Sequence, residues 1–204
     1  VVLKMLGESF GGILVTDCFT AYNHHAFADW LKQKCIGHLL KDLSEFQEVK
    51  TGGAVRFARD VTTVLREALK LRDQKGKLPM ADFTTQAAQL ETRLDALIDT
   101  RRRLTDPDNI RFAKRLRKHR PHLLRFLYVD GLDATNNQAE RMLRPAVITR
   151  KTGGCNHTPG GAATHSILAS ILVTCRQQGF SILDSLIKIQ RNGCSTFKSL
   201  APPA

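Results

Sequence analysis

The sequence predicts an α-rich α/β protein. The apolar run Ile13-Leu14-Val15-Thr16 follows a glycine pair and is typical of a buried strand. From about residue 44 to 128, apolar residues recur at helical spacing, which predicts a series of amphipathic helices, and more such patterns follow residue 133. We therefore expect a mostly helical chain with a residual β element around residues 12 to 17 and 33 to 38.

Composition indicates one substantial core and a strongly positive surface. The 204 residues can bury a core plus a helical subdomain. Lysine and arginine number 31 against 19 acidic residues, a formal net charge of +12, which favours a polyanion such as nucleic acid as partner. Five scattered cysteines imply no disulfide framework and fit a reducing compartment. The sequence contains no apolar run of membrane-spanning length, so no membrane partner is expected.

The amino-terminal region places an acidic residue at the end of the predicted strand. Asp17 follows Thr16 directly, and open α/β sheets carry catalytic groups at the carboxyl ends of their strands. The alternative is that Asp17 caps the next turn. Residues 24 to 34 have the pattern of a short helix, and residues 34 to 38 that of a second strand.

Cysteine and histidine pairs raise a zinc alternative. Cys35 and His38 have a spacing that can chelate zinc, and His119 and His122 repeat the spacing. Two such pairs would make one four-ligand site. Packing and ordinary polar contacts are the competing interpretation of the same residues.

Three helices are predicted in the middle of the chain. The first runs through Val55 to Leu71 and the second through Ala87 to Ile98. The third follows the break at residues 106–109 and is divided by Pro121. It carries a basic run that either tracks a phosphate backbone or forms a solvated face: Arg111, Lys114, Arg115, Arg117, Lys118, His119, Arg120 and Arg125.

The stretch from Asp133 to Pro145 begins as a helix should. Thr135 is the predicted N-cap, and Gln138 completes a capping box. Glu140 follows one turn into the helix, beside an apolar stripe that we expect to be buried: Ala139, Met142, Leu143, Ala146 and Val147. Glu140 is then either a metal ligand or a salt-bridge partner of the nearby basic residues: Arg141, Arg144, Arg150 and Lys151.

A glycine-rich loop and two more helices complete the pattern. The loop covers residues 152–161, and helices are predicted from Ala162 to Gln178 and from Ser181 onward. Residues 193–204 are expected to form a tail.

Four blocks, in order, resemble the insertion-sequence-66 family of bacterial DDE transposases. The most specific block is Asn136-Asn137-Gln138-Ala139-Glu140-Arg141, with Leu143-Arg144-Pro145-Ala146-Val147 and Arg150-Lys151 after it. The others are Gly12-Ile-Leu-Val-Thr-Asp17 with Ala21-Tyr22, Cys35-x-x-His38-Leu, and Thr174-Cys175-Arg176-Gln177-Gln178-Gly179. Together they span roughly Gly11 to Lys188.

The resemblance implies a partial RNase H-like catalytic fold with a helical insertion. Asp17 matches the family's second catalytic aspartate, Glu140 its catalytic glutamate, and Cys35 with His38 a signature between them. The implied domains are a remnant of the core at 1–43, an insertion at 44–128, and the glutamate helix with the carboxy-terminal helices at 129–192.

The implied activity is metal-dependent DNA cleavage and strand transfer in transposition. Two Mg²⁺ or Mn²⁺ ions about 4 Å apart suit this chemistry, and carboxylates are suitable ligands. The implied partners are transposon-end and target DNA, held by Arg141, Arg144, Arg150 and Lys151, and further copies of the protein on that DNA. The implied location is the bacterial cytoplasm, in association with the nucleoid.

One departure from the family limits the activity expected of these residues. Glu8 is the one acidic residue before Asp17, and it lies in no strand pattern. We therefore interpret the chain as the carboxy-terminal part of a transposase, lacking the amino-terminal strands and the first catalytic aspartate, and inactive alone. The alternatives are a non-enzymatic basic helical domain that binds nucleic acid, and a zinc-stabilised interaction module.

Overall fold

Helices dominate the computed structural model of the chain, which describes residues 2–7, 10–99, 103–154, 156 and 158–192. The chain divides into two compact units, Val1–Ala139 and Glu140–Ala204. The first unit contains the sheet and the main hydrophobic core. The tail expected at residues 193–204 lies outside the described residues.

Two short parallel strands form the sheet of the first unit. A five-residue helix, α1 (Val2–Leu6), precedes β1 (Ile13–Thr16), which pairs with β2 (Leu31–Lys34). The register sets Thr16 opposite Lys34, and the Cys35 N–H then donates to the Thr16 carbonyl at 2.7 Å. β1 confirms the predicted strand. Because the strands are parallel, their carboxyl ends meet at one edge, with Asp17 and Cys35 just beyond it.

The connection between the strands corrects the helix predicted over residues 24 to 34. It contains two 3-10 turns, Thr20–Asn23 and His25–Phe27, and residues 31–34 are strand. Aromatic packing accounts for the apolar spacing, since the Phe27 and Trp30 rings lie 4.9 Å apart. The spacing arises from this ring cluster rather than from the face of a helix.

Four helices follow the sheet: α2 (Ile36–Val49), α3 (Gly53–Asp73), α4 (Met80–Ile98) and α5 (Pro107–His119). The three helices predicted in this part are thereby confirmed. Asp106 caps α5 by accepting the Asn109 N–H at 2.9 Å, and the 3-10 turn Arg120–His122 follows at Pro121. Residues 36–38 begin α2, so their assignment to a strand was wrong. The predicted domain limit at residue 43 falls inside α2, and the domain division stays a prediction.

The core of the first unit lies among α2 to α5 and the segment that follows α5. Val61, Leu65 and Ala68 on α3 are fully buried at the spacing of one helical face. Gln33 attaches the sheet to this core, because its side-chain amide donates to the Leu123 carbonyl at 2.8 Å and accepts the Phe126 N–H at 3.1 Å. Buried polar groups require such partners, so Gln33 fixes β2 against the core.

The carboxy-terminal part contains α6 (Asn137–Thr152), α7 (Pro159–Gln178) and α8 (Ile182–Asn192). Thr158 caps α7 by accepting the Gly161 N–H at 3.0 Å, and Gly179 ends it at a φ of 70°. Both predicted helices are confirmed, although α7 begins at Pro159 and shortens the predicted loop. Within the described ranges, no helix is long and apolar enough to cross a membrane.

Candidate active site at the carboxyl edge of the sheet

Asp17 lies where the sequence predicts it, at the carboxyl end of β1. Its Oδ1 accepts the Phe19 N–H at 2.9 Å, an Asx-type turn that fixes the side chain. Among the described residues, no other donor bonds to this carboxylate. Capping by one oxygen therefore leaves the second oxygen able to bind a cation, and the two interpretations of Asp17 are compatible.

A buried lysine, which sequence reasoning missed, holds the backbone at Asp17. The Lys34 side chain is fully buried, and its Nζ donates to the Thr16 hydroxyl at 3.0 Å and to the Asp17 carbonyl at 2.8 Å. Burial lowers the pKa of Lys34, while the charges of Cys18 and Asp17 partly offset this effect. No local sequence pattern indicates this role, because the place of Lys34 opposite Thr16 depends on pairing between segments that are distant in the chain.

The segment that leads into α6 is attached to the same edge of the sheet. The Ile36 N–H donates to the Ala134 carbonyl at 2.9 Å, and the Asn136 N–H donates to Cys35 Sγ at 3.4 Å. Gly37 lies against the same segment, since a Cβ at that position would be in ordinary van der Waals contact with Asn137 Oδ1, at 3.5 Å. Residues 134–137 therefore pack where β2 ends and α2 begins.

The predicted cap of α6 is wrong in its details. The helix begins at Asn137, and the Thr135 hydroxyl donates to Asp133 Oδ1 at 3.3 Å. The Thr135 N–H donates to the same oxygen at 3.1 Å. Asp133 therefore organises the turn before the helix in place of the predicted Thr135 capping box.

Glu140 is exposed and lies in the first turn of α6, because the helix begins at Asn137, later than the predicted start after Thr135. At about 3.6 residues per turn, Arg144 and Lys151 fall on the same side of the helix as Glu140. Arg141 and Arg150 are exposed on the same helix. The chain divides between residues 139 and 140, and the pairing of Asp17 with Glu140 in one metal site stays a prediction.

The apolar stripe of α6 is exposed, which corrects the expectation that it would be buried. No residue of α6 with a described side chain is buried, and Leu143 is 63% exposed. Helical spacing of apolar residues predicts a face that can pack, but it does not predict a covering element. The stripe comprises Ala139, Met142, Leu143, Ala146 and Val147.

The four-ligand zinc site is not formed. Within the described ranges, no group of three or more His, Cys, Asp or Glu side chains could hold a metal ion. Cys35, His38, His119 and His122 therefore do not converge as the zinc alternative requires. Cys35 instead precedes α2 as its N-cap residue and accepts the Asn136 N–H.

Basic side chains surround His119, the last residue of α5, and His122 in the 3-10 turn that follows. Burial, with the positive charges nearby, lowers the pKa of His119 to about 4. Burial also lowers the pKa of His122. Such surroundings repel a metal cation as they repel a proton, which adds a physical reason against zinc. The charged groups around His119 are Lys34, Lys118, His122 and Arg115, and those around His122 are Lys32, Arg125 and Lys34.

Five of the eight residues in the predicted basic run are engaged within the protein, including Arg125, which donates to the Lys32 carbonyl at 3.2 Å. Arg117 donates to the Ile98 carbonyl at 2.7 Å. Lys114 and Lys118 are exposed and, within the described part of the chain, have no ion-pair partner. A phosphate backbone would thus meet these two lysines with least competition from internal acceptors. The engaged pairs are Arg111 with Asp108, Arg115 with Asp42, and Arg120 with Asp95.

A strongly basic chain favours a polyanion as partner, and the carboxyl edge of parallel strands is where open α/β sheets bind their ligands. The model of the Transposase IS66 family matches residues 1–164. The chain therefore belongs to the IS66 family of transposases, which confirms the resemblance inferred from its motifs. The motif at residues 174–179 lies beyond the matched part.

One curated relative and the solved structures complete the comparison. The chain is 27% identical over 195 residues to the "Uncharacterized protein y4qI" of Sinorhizobium fredii (strain NBRC 101917 / NGR234). The match covers 87% of this chain and 35% of the relative, so the chain spans little more than a third of that protein's length. No solved structure matches the chain.

Proposed function

We propose that the chain supplies part of the catalytic centre for metal-dependent DNA cleavage and strand transfer in transposition of a bacterial insertion sequence. One observation carries the proposal. The Asp17 carboxylate follows β1, and residues 134–137, which lead into the helix of Glu140, are attached at the same edge of the sheet. The family membership of residues 1–164 supports it. We propose further that β1 and β2 belong to an RNase H-like core.

Asp17 and Glu140 are the proposed ligands of the divalent cations. Asp17 fits this role because one carboxylate oxygen is held by the Phe19 N–H while the other has no donor among the described residues. Carboxylate oxygens suit Mg²⁺ or Mn²⁺. Two such ions, when bound, would stabilise the attacking and leaving oxygens of a phosphodiester.

The remaining residues of the proposed site position these ligands and the DNA. Lys34 restrains the carbonyl of Asp17, and the turn at Asp133 sets the start of α6. Arg141, Arg144, Arg150 and Lys151 are the proposed phosphate contacts, which fix the register of DNA without reading its sequence. Further copies of the protein on the DNA belong to the same proposal.

Paramagnetic broadening by Mn²⁺ tests whether Asp17 and Glu140 share an ion. Bound Mn²⁺ should broaden the amide signals of residues 16–19 and of residues 139–141 together. Asp17→Asn and Glu140→Gln should each abolish the broadening at both places. Asp130→Asn is the control, because Asp130 is 91% exposed and pairs with Lys75 outside the proposed site. Broadening of one segment without the other would refute the shared site.

Salt dependence of duplex binding tests the proposed phosphate contacts. Replacing Arg144 by Ala should reduce the slope of log K against log salt by about 0.9, the effect of one lost phosphate contact. Arg111→Ala is the matched control, since Arg111 pairs with Asp108. Equal slopes for wild type and Arg144→Ala would remove Arg144 from the interface.

A non-enzymatic basic domain that binds nucleic acid is the second candidate function. The exposed Lys114 and Lys118 favour it, because they offer charge without any requirement for metal. DNA binding that persists in Asp17→Asn and Glu140→Gln, with no Mn²⁺ broadening in wild type, would support this alternative.

A further inference from the structure

An open groove lies beside Asp17, on the loop that joins β1 to β2. It has a volume of about 680 Å³ and is lined by the 3-10 turn Thr20–Asn23, by α1, and by aromatic side chains. Phe19 is the most exposed of these, with 63% of its surface accessible. Ligand sites are concave and combine apolar or aromatic walls with a few polar groups, as this groove does. The groove is therefore a candidate binding site.

Aromatic rings supply much of the groove's lining, beside the aliphatic side chains of Val2, Leu3 and Ala21. Phe19 and Tyr22 meet edge to face with centroids 6.5 Å apart. Phe27, 7% exposed, forms the floor and is supported by Trp30 at 4.9 Å. Because Phe27 and Trp30 are buried, the ring surface open to a flat aromatic ligand is that of the exposed Phe19 and the half-buried Tyr22.

The groove shares its backbone with the proposed metal ligand. The Phe19 N–H is the donor that holds Asp17 Oδ1 at 2.9 Å. Lys34, whose Nζ bonds the Asp17 carbonyl, lies 5.8 Å from the centre of the Tyr22 ring. A ligand stacked on Phe19 or Tyr22 would therefore lie next to the group that we propose for cleavage.

We propose that this groove stacks an unpaired base of the DNA strand whose phosphodiester is processed at Asp17. The inference rests on the proposed function and adds a binding subsite to it. Aromatic side chains bind bases of single-stranded or extruded nucleotides by stacking. Thr20, Asn23 and His24 at the groove supply polar groups for a base edge.

Charge favours a nucleotide over an apolar peptide in this groove. The chain has a formal net charge of +12, and the rings of Phe19 and Tyr22 line the groove. A nucleotide brings both a flat ring and a phosphate, and so complements both features. An apolar peptide, or a second copy of the basic chain, would match the rings alone.

Duplexes with a short single-stranded overhang, carrying 2-aminopurine at the unpaired position, test the proposal. Binding of the wild type should change the 2-aminopurine fluorescence. Phe19→Ala should bind this DNA about tenfold more weakly, as expected for one lost stacking contact, and Phe19→Trp should restore binding. The matched control is Phe180→Ala, because Phe180 is also an exposed phenylalanine, at 46%.

An abasic site at the same position makes the test a double-mutant cycle. Wild type should lose the same factor on abasic DNA, and Phe19→Ala should lose nothing further. Independent, multiplicative losses would refute direct stacking, as would equal loss on a blunt duplex. A change in the oligomeric state of Phe19→Ala without DNA would assign the groove to a second copy instead.

The same measurements separate failure of the subsite from failure of the proposed function. The stacking proposal alone would be refuted if wild type bound the blunt duplex and if wild type and Phe19→Ala bound overhang DNA with equal affinity. Wild type that binds neither DNA would refute both.

Discussion

At the scale of single residues, the burial of Lys34 is unfavourable in itself, but its hydrogen bonds hold the backbone at Asp17. Its ammonium group is removed from water, which is unfavourable for a charge and lowers its pKa. Two neutral oxygens compensate, the Thr16 hydroxyl and the Asp17 carbonyl. The bond to the Asp17 carbonyl restrains the residue on which the proposed chemistry depends.

Lys34→Met should separate these contributions. The substitution keeps the length of the side chain but leaves two buried acceptors without a donor, and each unsatisfied acceptor costs about 1–3 kcal/mol. Release of the buried charge offsets part of this loss. We expect a net decrease in the free energy of unfolding of about 1–3 kcal/mol, measured by urea denaturation.

The control for Lys34 is a lysine that makes no such bonds. Lys114→Met, at an exposed position of α5, should change the free energy of unfolding by less than about 0.5 kcal/mol. If Lys34→Met and Lys114→Met unfolded alike, the two bonds of Lys34 would contribute no net stability.

His119 should make stability depend on pH in the acid range. Its pKa is lowered from 6.5 to about 4 by burial and by neighbouring cations, so between these values the unfolded chain binds the proton more tightly. Stability is therefore complete above pH 6.5 and falls as the pH decreases toward 4, by at most about 3 kcal/mol. His119→Gln should flatten the dependence of the unfolding free energy on pH between 6.5 and 5. An unchanged slope there would assign the loss to other groups.

At the scale of elements, the start of α5 could be predicted from the sequence because its cap is local. The Asp106-Pro107 pair supplies an acceptor for an orphan N–H and a residue with a fixed φ, and both effects are local. The strand at residues 31–34 is different, because its position depends on pairing with β1 and on the bonds of Gln33 to residues 123 and 126. Those partners are distant in the sequence, so periodicity alone could not identify β2.

Asp106 variants test the cap of α5. Asp106→Ala removes the acceptor of the Asn109 N–H and one of the two carboxylates that contact Lys50 at 2.8 Å. We expect a loss of about 1–2 kcal/mol in the free energy of unfolding. Asp106→Asn keeps an oxygen for the cap and should lose less. Equal losses for the two variants would mean that the ion pair, rather than the cap, is the stabilising contact.

In the candidate site, too, positions set by neighbouring residues could be predicted, whereas contacts between distant segments could not. Asp17 at a strand end and Glu140 near the start of a helix could be predicted, since neighbouring residues determine both positions. Lys34 and the attachment of Asn136 to Cys35 could not, because each joins segments that are far apart in the chain. The exposed stripe of α6 adds a second limit, since an apolar pattern does not specify which surface covers it.

At the scale of the whole molecule, DNA binding and DNA cleavage depend on different groups: binding on the net positive charge, and cleavage on carboxylates that hold divalent cations. The net charge of +12 should attract DNA whether or not a divalent cation is bound, because release of condensed counterions drives this association. Two-metal chemistry instead requires carboxylate ligands. DNA binding and strand transfer should therefore respond differently to removal of divalent cations.

We predict that EDTA leaves duplex binding by the 204-residue chain intact, and that Mg²⁺ or Mn²⁺ does not give this chain strand-transfer activity. Asp17 and Glu140 are the two acidic ligands assigned, and two carboxylates should hold a pair of divalent cations poorly. Gel-shift titrations in EDTA and in Mg²⁺ measure the first outcome, and joining of a labelled 3′ end to a plasmid measures the second. Glu140→Gln is the control for metal-dependent background. Efficient joining by wild type that is lost in Glu140→Gln would contradict the prediction of inactivity and support a catalytic role for Glu140, whereas equal joining by the variant would identify the joining as background.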